Sequence, residues 1–415
     1  MRSEFRTTLL YELGRPWNEG RCSVRRTKYL AIALLLAAIW PIQGQSPTAS
    51  DYVKLGRALD LKGDVDGAIV EFTKAIELDS RNASAYFYRG VARERKGDLD
   101  GAIADFGKVI EIKPSEEAYT NRGTARLRRG DFDSAIDDYN KALEINPTQM
   151  TYFNRCLARS EKGDREGAIL DCTKAIELDA RDTGAYSQRG MLRAKKGDLD
   201  GAIADFTTAL EIDPGKAKSY YNRGVALDEK GDASGAIADF TRAIEIDPRH
   251  LHSYIDRGFE RYKAGDLDGA IADYTKAVEI DPRYVKAYQF RANARKRKGE
   301  LEQAISDYKK TIEIDPRYAD GYNSLAWLLA TNPTGAIRDG KRAVEYAKKA
   351  SEIANWQNPN YLDTLAAAYA EIGDFDEAIK WENKALSFAD FSEKSGEGAR
   401  RRLQLYTQRQ PCREN

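Results

Sequence analysis

From residue 51 to about residue 389 the chain repeats itself every 33 or 34 residues, and nothing else in it restricts the fold as strongly. The string KGDLDGAIADF stands at 96–106 and again at 196–206. Gly63, Gly97, Gly130, Gly163, Gly197, Gly231, Gly265 and Gly299 are separated by 34, 33, 33, 34, 34, 34 and 34 residues. A fixed period of this size signals a solenoid in which each unit covers the apolar face of the next, not a set of separate globular domains. Within a unit the pattern reads helix, tight turn, helix. In the second unit Tyr86, Gly90 and Ala92 fall at helical spacing, and Gly97 supplies the left-handed residue that ends the helix. Asp98 and Asp100 meet the unpaired N–H groups of the next helix. Its apolar stripe is Ala102, Ile103, Phe106, Val109 and Ile110, and Pro114 stops it.

Four positions recur in register. An aromatic opens the first helix (Tyr52, Tyr86, Tyr119, Tyr152, Tyr186, Tyr220, Tyr254, Tyr288, Tyr322), and glycine follows four later in six units, as at Gly90 and Gly224. Alanine holds one place in the second helix, as at Ala102, Ala202 and Ala304, and proline closes most units. On these residues the chain resembles the tetratricopeptide repeat family over about ten units. The resemblance implies an all-α fold, an α-solenoid in which antiparallel helix hairpins stack into a right-handed superhelix, and a protein or peptide partner. Residues 51–320 read as eight regular repeats, 321–389 as two divergent ones, and 390–415 as a capping helix and tail. Gly299 and Gly373 lie 74 residues apart, two periods plus six, with the extra residues at 331–339 and near 355–360 and with Trp327, Trp356 and Trp381 marking these units. In the tail, Arg400, Arg401 and Arg402 are expected to point outward, with Leu403 and Leu405 capping the array.

The 66 basic residues balance 66 acidic ones, so no positive excess exists to release counterions from phosphates, and a general nucleic-acid binder is disfavoured. Two histidines in 415 residues remove most triads, zinc sites and acid/base schemes. No phosphate loop, zinc-protease motif, nucleophile elbow or dinucleotide fingerprint occurs. Outside the repeats and leader only about 26 residues remain, too few for a catalytic domain, so no enzyme, cofactor or small-molecule substrate is expected.

Residues 1–46 read as a secretory signal with a long basic segment and a short linker. The apolar run at 29–40 follows Arg21, Arg25, Arg26 and Lys28, and small polar residues come after it. Twelve helical residues span about 18 Å against a hydrocarbon core of about 30 Å. Export with cleavage after Gly44 or Ser46 is the expectation, to the periplasm or outside. An inner-membrane anchor made by residues 29–40 is the alternative, and a start near Val24 would shorten the basic segment.

Eight residues before the turn glycines stand Arg89, Arg122, Arg155, Arg189, Arg223, Arg257 and Arg291; eight after stand Asp105, Asp138, Asp171, Asp205, Asp239, Asp273 and Asp307. Equal offsets from a hairpin turn place both at one height, and where the arginine is missing (Leu55, Leu325, Leu365) the aspartate is missing too. A ladder of Arg–Asp bridges within or between hairpins is expected. Cys156 and Cys172 replace a glycine-type and a Phe/Tyr-type position of one unit together. They form either a disulfide, if their Cα atoms come within roughly 7 Å in an oxidising compartment, or two buried thiols. The Asp-x-Asp-Gly runs (Asp98, Asp100, Gly101 and equivalents) read as helix-start carboxylates and not as calcium loops, and His250 and His252 as surface residues at a unit junction.

The resemblance implies that the first helices line the concave face. There Phe87, Phe153, Tyr221 and Phe259 would form an apolar floor, edged by Tyr88, Asn121, Asn154 and Asn222. Such amides suit an extended peptide, whose backbone they can hydrogen-bond whatever its side chains. The lysine, arginine and asparagine clamp of the family's co-chaperone members is absent, since Gln289 and Asn293 are followed by Ser324. The function read from the sequence is a non-enzymatic interaction scaffold or assembly adaptor. The alternatives are a membrane-tethered scaffold and an accessory subunit of an enzyme complex.

Overall fold

The computed structural model describes residues 46–413, and these form 22 α-helices without a strand among them. The expected leader, with its apolar run and Cys22, lies outside the described residues apart from Ser46. None of the described helices is long and apolar enough to cross a membrane.

The helices pair as hairpins: α1 (Ala49–Leu61) with α2 (Val65–Leu78), α3 (Ala83–Lys96) with α4 (Leu99–Ile112), α5 (Glu116–Arg129) with α6 (Phe132–Ile145), and α7 (Gln149–Lys162) with α8 (Arg165–Leu178). After α9 (Thr183–Lys196) and α10 (Leu199–Ile212) come α11 (Ala217–Lys230) with α12 (Ala233–Ile246), α13 (Leu251–Ala264) with α14 (Leu267–Ile280), and α15 (Val285–Lys298) with α16 (Leu301–Ile314). The divergent part is α17 (Ala319–Thr331) with α18 (Gly340–Ile353) and α19 (Pro359–Glu371) with α20 (Phe375–Leu386), followed by α21 (Ala389–Lys394) and α22 (Gly396–Thr407). The chain divides into two compact units within α9, the first ending at Leu192 and the second beginning at Arg193.

Local chemistry sets each hairpin. At the end of α3, Gly97 adopts φ 88°, and the following Asp98 N–H donates back to the Arg93 carbonyl at 2.9 Å. A side chain on Gly97 would be strained there. Asp98 then caps α4 by accepting from the Gly101 N–H at 2.9 Å. Two residues of turn therefore reverse the chain and satisfy both helix ends. In the first unit the hairpins meet through small residues facing rings. Gly90 sits so close to Phe106 that a Cβ there would lie 2.9 Å from the ring. Phe106, Ala102, Ala92 and Ala125 are fully buried.

In α7–α8 that glycine–ring contact is replaced by Cys156 and Cys172, which the structure draws into bonding contact with Cα atoms 5.5 Å apart. Both are fully buried. A bridge across 16 residues is expected to stabilise the folded state by about 3 kcal/mol. The check is a urea titration of the protein with and without reductant, together with the Cys156→Ala/Cys172→Ala variant. Identical midpoints for oxidised and reduced protein would exclude a bridge that contributes to folding.

In the second unit, Tyr254, Ile255, Tyr274 and Ala277 hold α13 and α14 together. A larger cluster from Tyr308 through Leu325, Leu328, Val344 and Leu365 spans α16–α19. Chain reversal between α18 and α19 places Asn355 (φ 49°) and Trp356 (φ 60°) in the left-handed region, and Trp356 stacks on Trp381 at 5.0 Å. The end of the array departs from the sequence expectation. Two helices, α21 and α22, follow α20. Arg402 does not point outward: it turns under α22, donating from Nε to Asp363 at 2.8 Å and lying over the Trp327 ring at 5.5 Å. The cap is made chiefly by Ala399 and Tyr406, both fully buried, while Leu405 is only partly covered. Asp363 and Glu382 are buried beneath this helix, and that burial selects the cation that must face them.

Candidate functional site

The arginine positions resolve into locks built inside the hairpins that carry them. Asp105 accepts from Arg89 Nε at 2.9 Å, from its second guanidinium nitrogen at 2.7 Å, and from Arg93 at 2.8 Å. Arg89 also donates to the Thr73 hydroxyl of the preceding hairpin at 3.1 Å, so one guanidinium ties two hairpins. Asp138 takes Arg122 and Arg126 in the same way, and Asp171 takes Arg155 and Arg159. In the second unit Asp239 binds Arg223, Asp273 binds Arg257 and Arg261, and Asp307 binds Arg291 and Arg295. Tyr86 lies 5.5 Å below the Arg89 guanidinium, and Tyr288 lies 5.4 Å below that of Arg291. In the repeats that carry the arginine, the opening tyrosine thus acts as a cation–π platform for the arginine three residues later. Sequence reasoning missed the second arginine and the tyrosine contact, although both recur at fixed spacing. These arginines are consumed in holding the fold, which leaves the first-helix face as the candidate partner site.

In the first unit the expected floor is largely occupied from within. Phe87 packs edge-on against Phe106 at 5.7 Å, and Tyr88 stacks on Phe72 at 5.9 Å with Arg57 over its ring at 4.8 Å. Phe153 lies against Cys156, Cys172 and Leu192. Residues ten before the turn glycine point into the seam with the following hairpin, so these rings are core between hairpins more than open floor. Asn121 donates its amide to the Glu117 carbonyl at 2.7 Å, one turn earlier on its own helix. Asn154 is half-buried, with no side-chain bond to another described residue.

The second unit keeps more of the face available. Phe259 is 42 % exposed beside Phe290, with ring centroids 6.4 Å apart. Half-buried Asn222 has no partner among the described residues, and the buried Gln289 and half-buried Asn323 each have a side-chain oxygen without a hydrogen bond. Tyr221 leans on Phe240 at 5.9 Å and donates its hydroxyl to Asp256 at 2.9 Å. Burial raises the Tyr221 phenol, and the neighbouring Asp256 charge raises it further. His250 is not a plain surface residue. It caps α13, bonding the Ser253 hydroxyl at 2.8 Å, and burial lowers its pKa; His252 is exposed. No group of His, Cys, Asp and Glu among the described residues is arranged to hold a metal ion.

Stacked two-helix units with internal ion-pair locks and a mixed polar and aromatic first-helix face define an all-α solenoid of the scaffold type. The chain belongs to the tetratricopeptide repeat family. Models described as tetratricopeptide repeat or TPR repeat match residues 56–97, 83–116, 116–149, 190–231, 217–250, 258–298 and 292–332, together more than half of the chain. Members of this family serve in general as protein-interaction scaffolds, and that is the class of partner the repeats support. No curated protein matches the chain.

Among solved structures, the C-terminal part of a TPR repeat-containing protein from Cytophaga hutchinsonii is 19% identical and covers 58% of this chain and 99% of its own, with a TM-score of 0.51. YrrB, described as a TPR protein with an unusual peptide-binding site, is 29% identical over 44% of this chain and 95% of its own, with a TM-score of 0.39. Yeast Tom70 is 19% identical over 93% and 92%, with a TM-score of 0.40. The first of these likenesses shows the fold.

Proposed function

We propose that the protein is an exported scaffold or assembly adaptor that holds an extended segment of a partner protein against its first helices. The observation that carries this reading is Phe259, a large ring left 42 % exposed on α13 next to Phe290, on a first-helix face that also carries Asn222, without a partner among the described residues, and side-chain oxygens of Gln289 and Asn323 without a hydrogen bond. Apolar pockets alternating with amides fit a peptide in extended conformation, because the amides bond backbone while the pockets take alternate side chains. Export rests on the leader pattern of residues 1–46.

A photo-crosslinking residue placed at Phe259 is expected to capture a partner in the producing cell, while one at Lys276 on the second helix α14 is not. Equal capture from both positions, or capture only from Lys276, would move the partner off the first-helix face. The same experiment run on separated periplasmic and membrane fractions tests export. Adducts confined to the membrane fraction would favour the tethered form.

A further inference from the structure

Tyrosines on the first helices of this chain generally carry a cation of their own. Tyr220, Tyr254 and Tyr288 each have an arginine over the ring at 5.6, 5.8 and 5.4 Å, and Tyr262 has Arg297 at 5.1 Å. Half-buried carboxylates on the same helices are likewise paired, as Asp228 is with Lys263 at 3.2 Å. One cluster on α11, α13 and the start of α15 breaks both habits. Asp256, half-buried, is held by the Tyr221 hydroxyl at 2.9 Å, and no lysine or arginine among the described residues pairs with it. Around it stand the Tyr221 ring, with His250 at 4.9 Å and His252 at 6.3 Å from it, and Tyr284 a further 6.3 Å on and turned 85° to His252. Neither Tyr221 nor Tyr284 has a cation over its face.

A carboxylate withdrawn from water without a counter-charge is costly, and its burial raises the Asp256 pKa. Tyrosine rings beside such a group provide the negative π surfaces that attract a desolvated cation, with the carboxylate as its charge partner. We infer that Tyr221, Asp256, His252 and Tyr284 form a subsite for a basic side chain, arginine or lysine, of the bound peptide. This rests on the proposed peptide-holding face and names the chemistry it selects: an apolar residue toward Phe259 and Phe290, and a basic one toward Asp256.

The test pans a random dodecapeptide phage library on the full chain and on Asp256→Asn. The wild type is expected to enrich peptides with an arginine or lysine beside an apolar residue, and the variant to lose that basic preference. In a selected peptide, replacing the basic residue by neutral citrulline is expected to weaken binding at least tenfold on the unaltered protein, so that misfolding of the variant cannot mimic the result. Enriched peptides lacking a basic residue, or citrulline peptides binding equally well, would overturn the subsite while leaving the peptide-holding face in place. Enrichment of no peptide on either protein would overturn both.

Discussion

Replacing Asp307 by alanine is expected to lower the unfolding free energy of the second unit by about 3–5 kcal/mol, the cost of stranding buried partners. Asp307 is 5% exposed as a side chain and receives both Arg291, at 11%, and Arg295, at 20%. The Arg291 bonds, at 2.9 and 2.7 Å, run parallel to the two carboxylate oxygens, and its remaining nitrogen donates to Thr275 of the preceding hairpin at 3.2 Å. Removing the carboxylate leaves Arg291 fixed by Thr275 and Tyr288 in a place where water does not compensate it. Arg295, nearer the turn, can swing outward. The double change Arg291→Leu/Asp307→Leu is expected to cost less than Asp307→Leu alone, because a buried ion pair contributes little net stability once desolvation is counted. Urea midpoints of the helical signal for the two single variants and the double variant form the cycle. A double variant less stable than either single one would mean that the pair does not act as a lock.

This architecture was written plainly in the sequence because repetition averages out local ambiguity. Gly97, Asp98 and Ala102 say helix end, helix start and buried contact, and the same statement recurs in each regular unit. Equal offsets from the turn glycine also placed Arg89 opposite Asp105 without any knowledge of the fold. What periodicity could not supply was the direction of side chains that lie in register but at a seam. Phe87 and Phe153 share a helical face with Tyr88 and Asn154, yet the stacking of the next hairpin decides which of them is covered. That depends on the tilt between hairpins, a property of pairs of units that no single unit encodes. The Tyr221–Asp256 contact spans 35 residues for the same reason. At the C-terminal end the repeat stops and so does its guidance. The phase of α22 is set by the short helix α21 and by two acids, Asp363 and Glu382, contributed by different helices, so Arg402 faces inward where an outward-pointing arginine was expected.

Those acids make stability under the last helix depend on pH. Glu382 is fully buried beside Asp363, with Arg402 Nε 3.5 Å from one of its oxygens, while Arg402 binds Asp363 more closely at 2.7 Å. Burial, and then the Asp363 charge, push the Glu382 carboxyl far above the usual carboxylate range, so in the folded protein it holds its proton at neutral pH. In the unfolded chain the same group ionises near its ordinary value of about 4.3. Between these two values the folded state binds a proton that the unfolded state releases. The stabilisation is therefore fully present below the unfolded value, falls by about 1.4 kcal/mol for each pH unit above it, and is gone once pH passes the folded value. Glu382→Gln imitates the protonated carboxyl, keeping a donor toward Asp363 while removing the ionisation. The variant is expected to match the wild type near pH 4 and to exceed it progressively from pH 5 to 9, read as urea midpoints across that range. Parallel profiles would show that Glu382 is already ionised in the folded protein and that Arg402 holds two negative charges. A crossing profile, with the wild type more stable at high pH, would assign the proton to Asp363 instead.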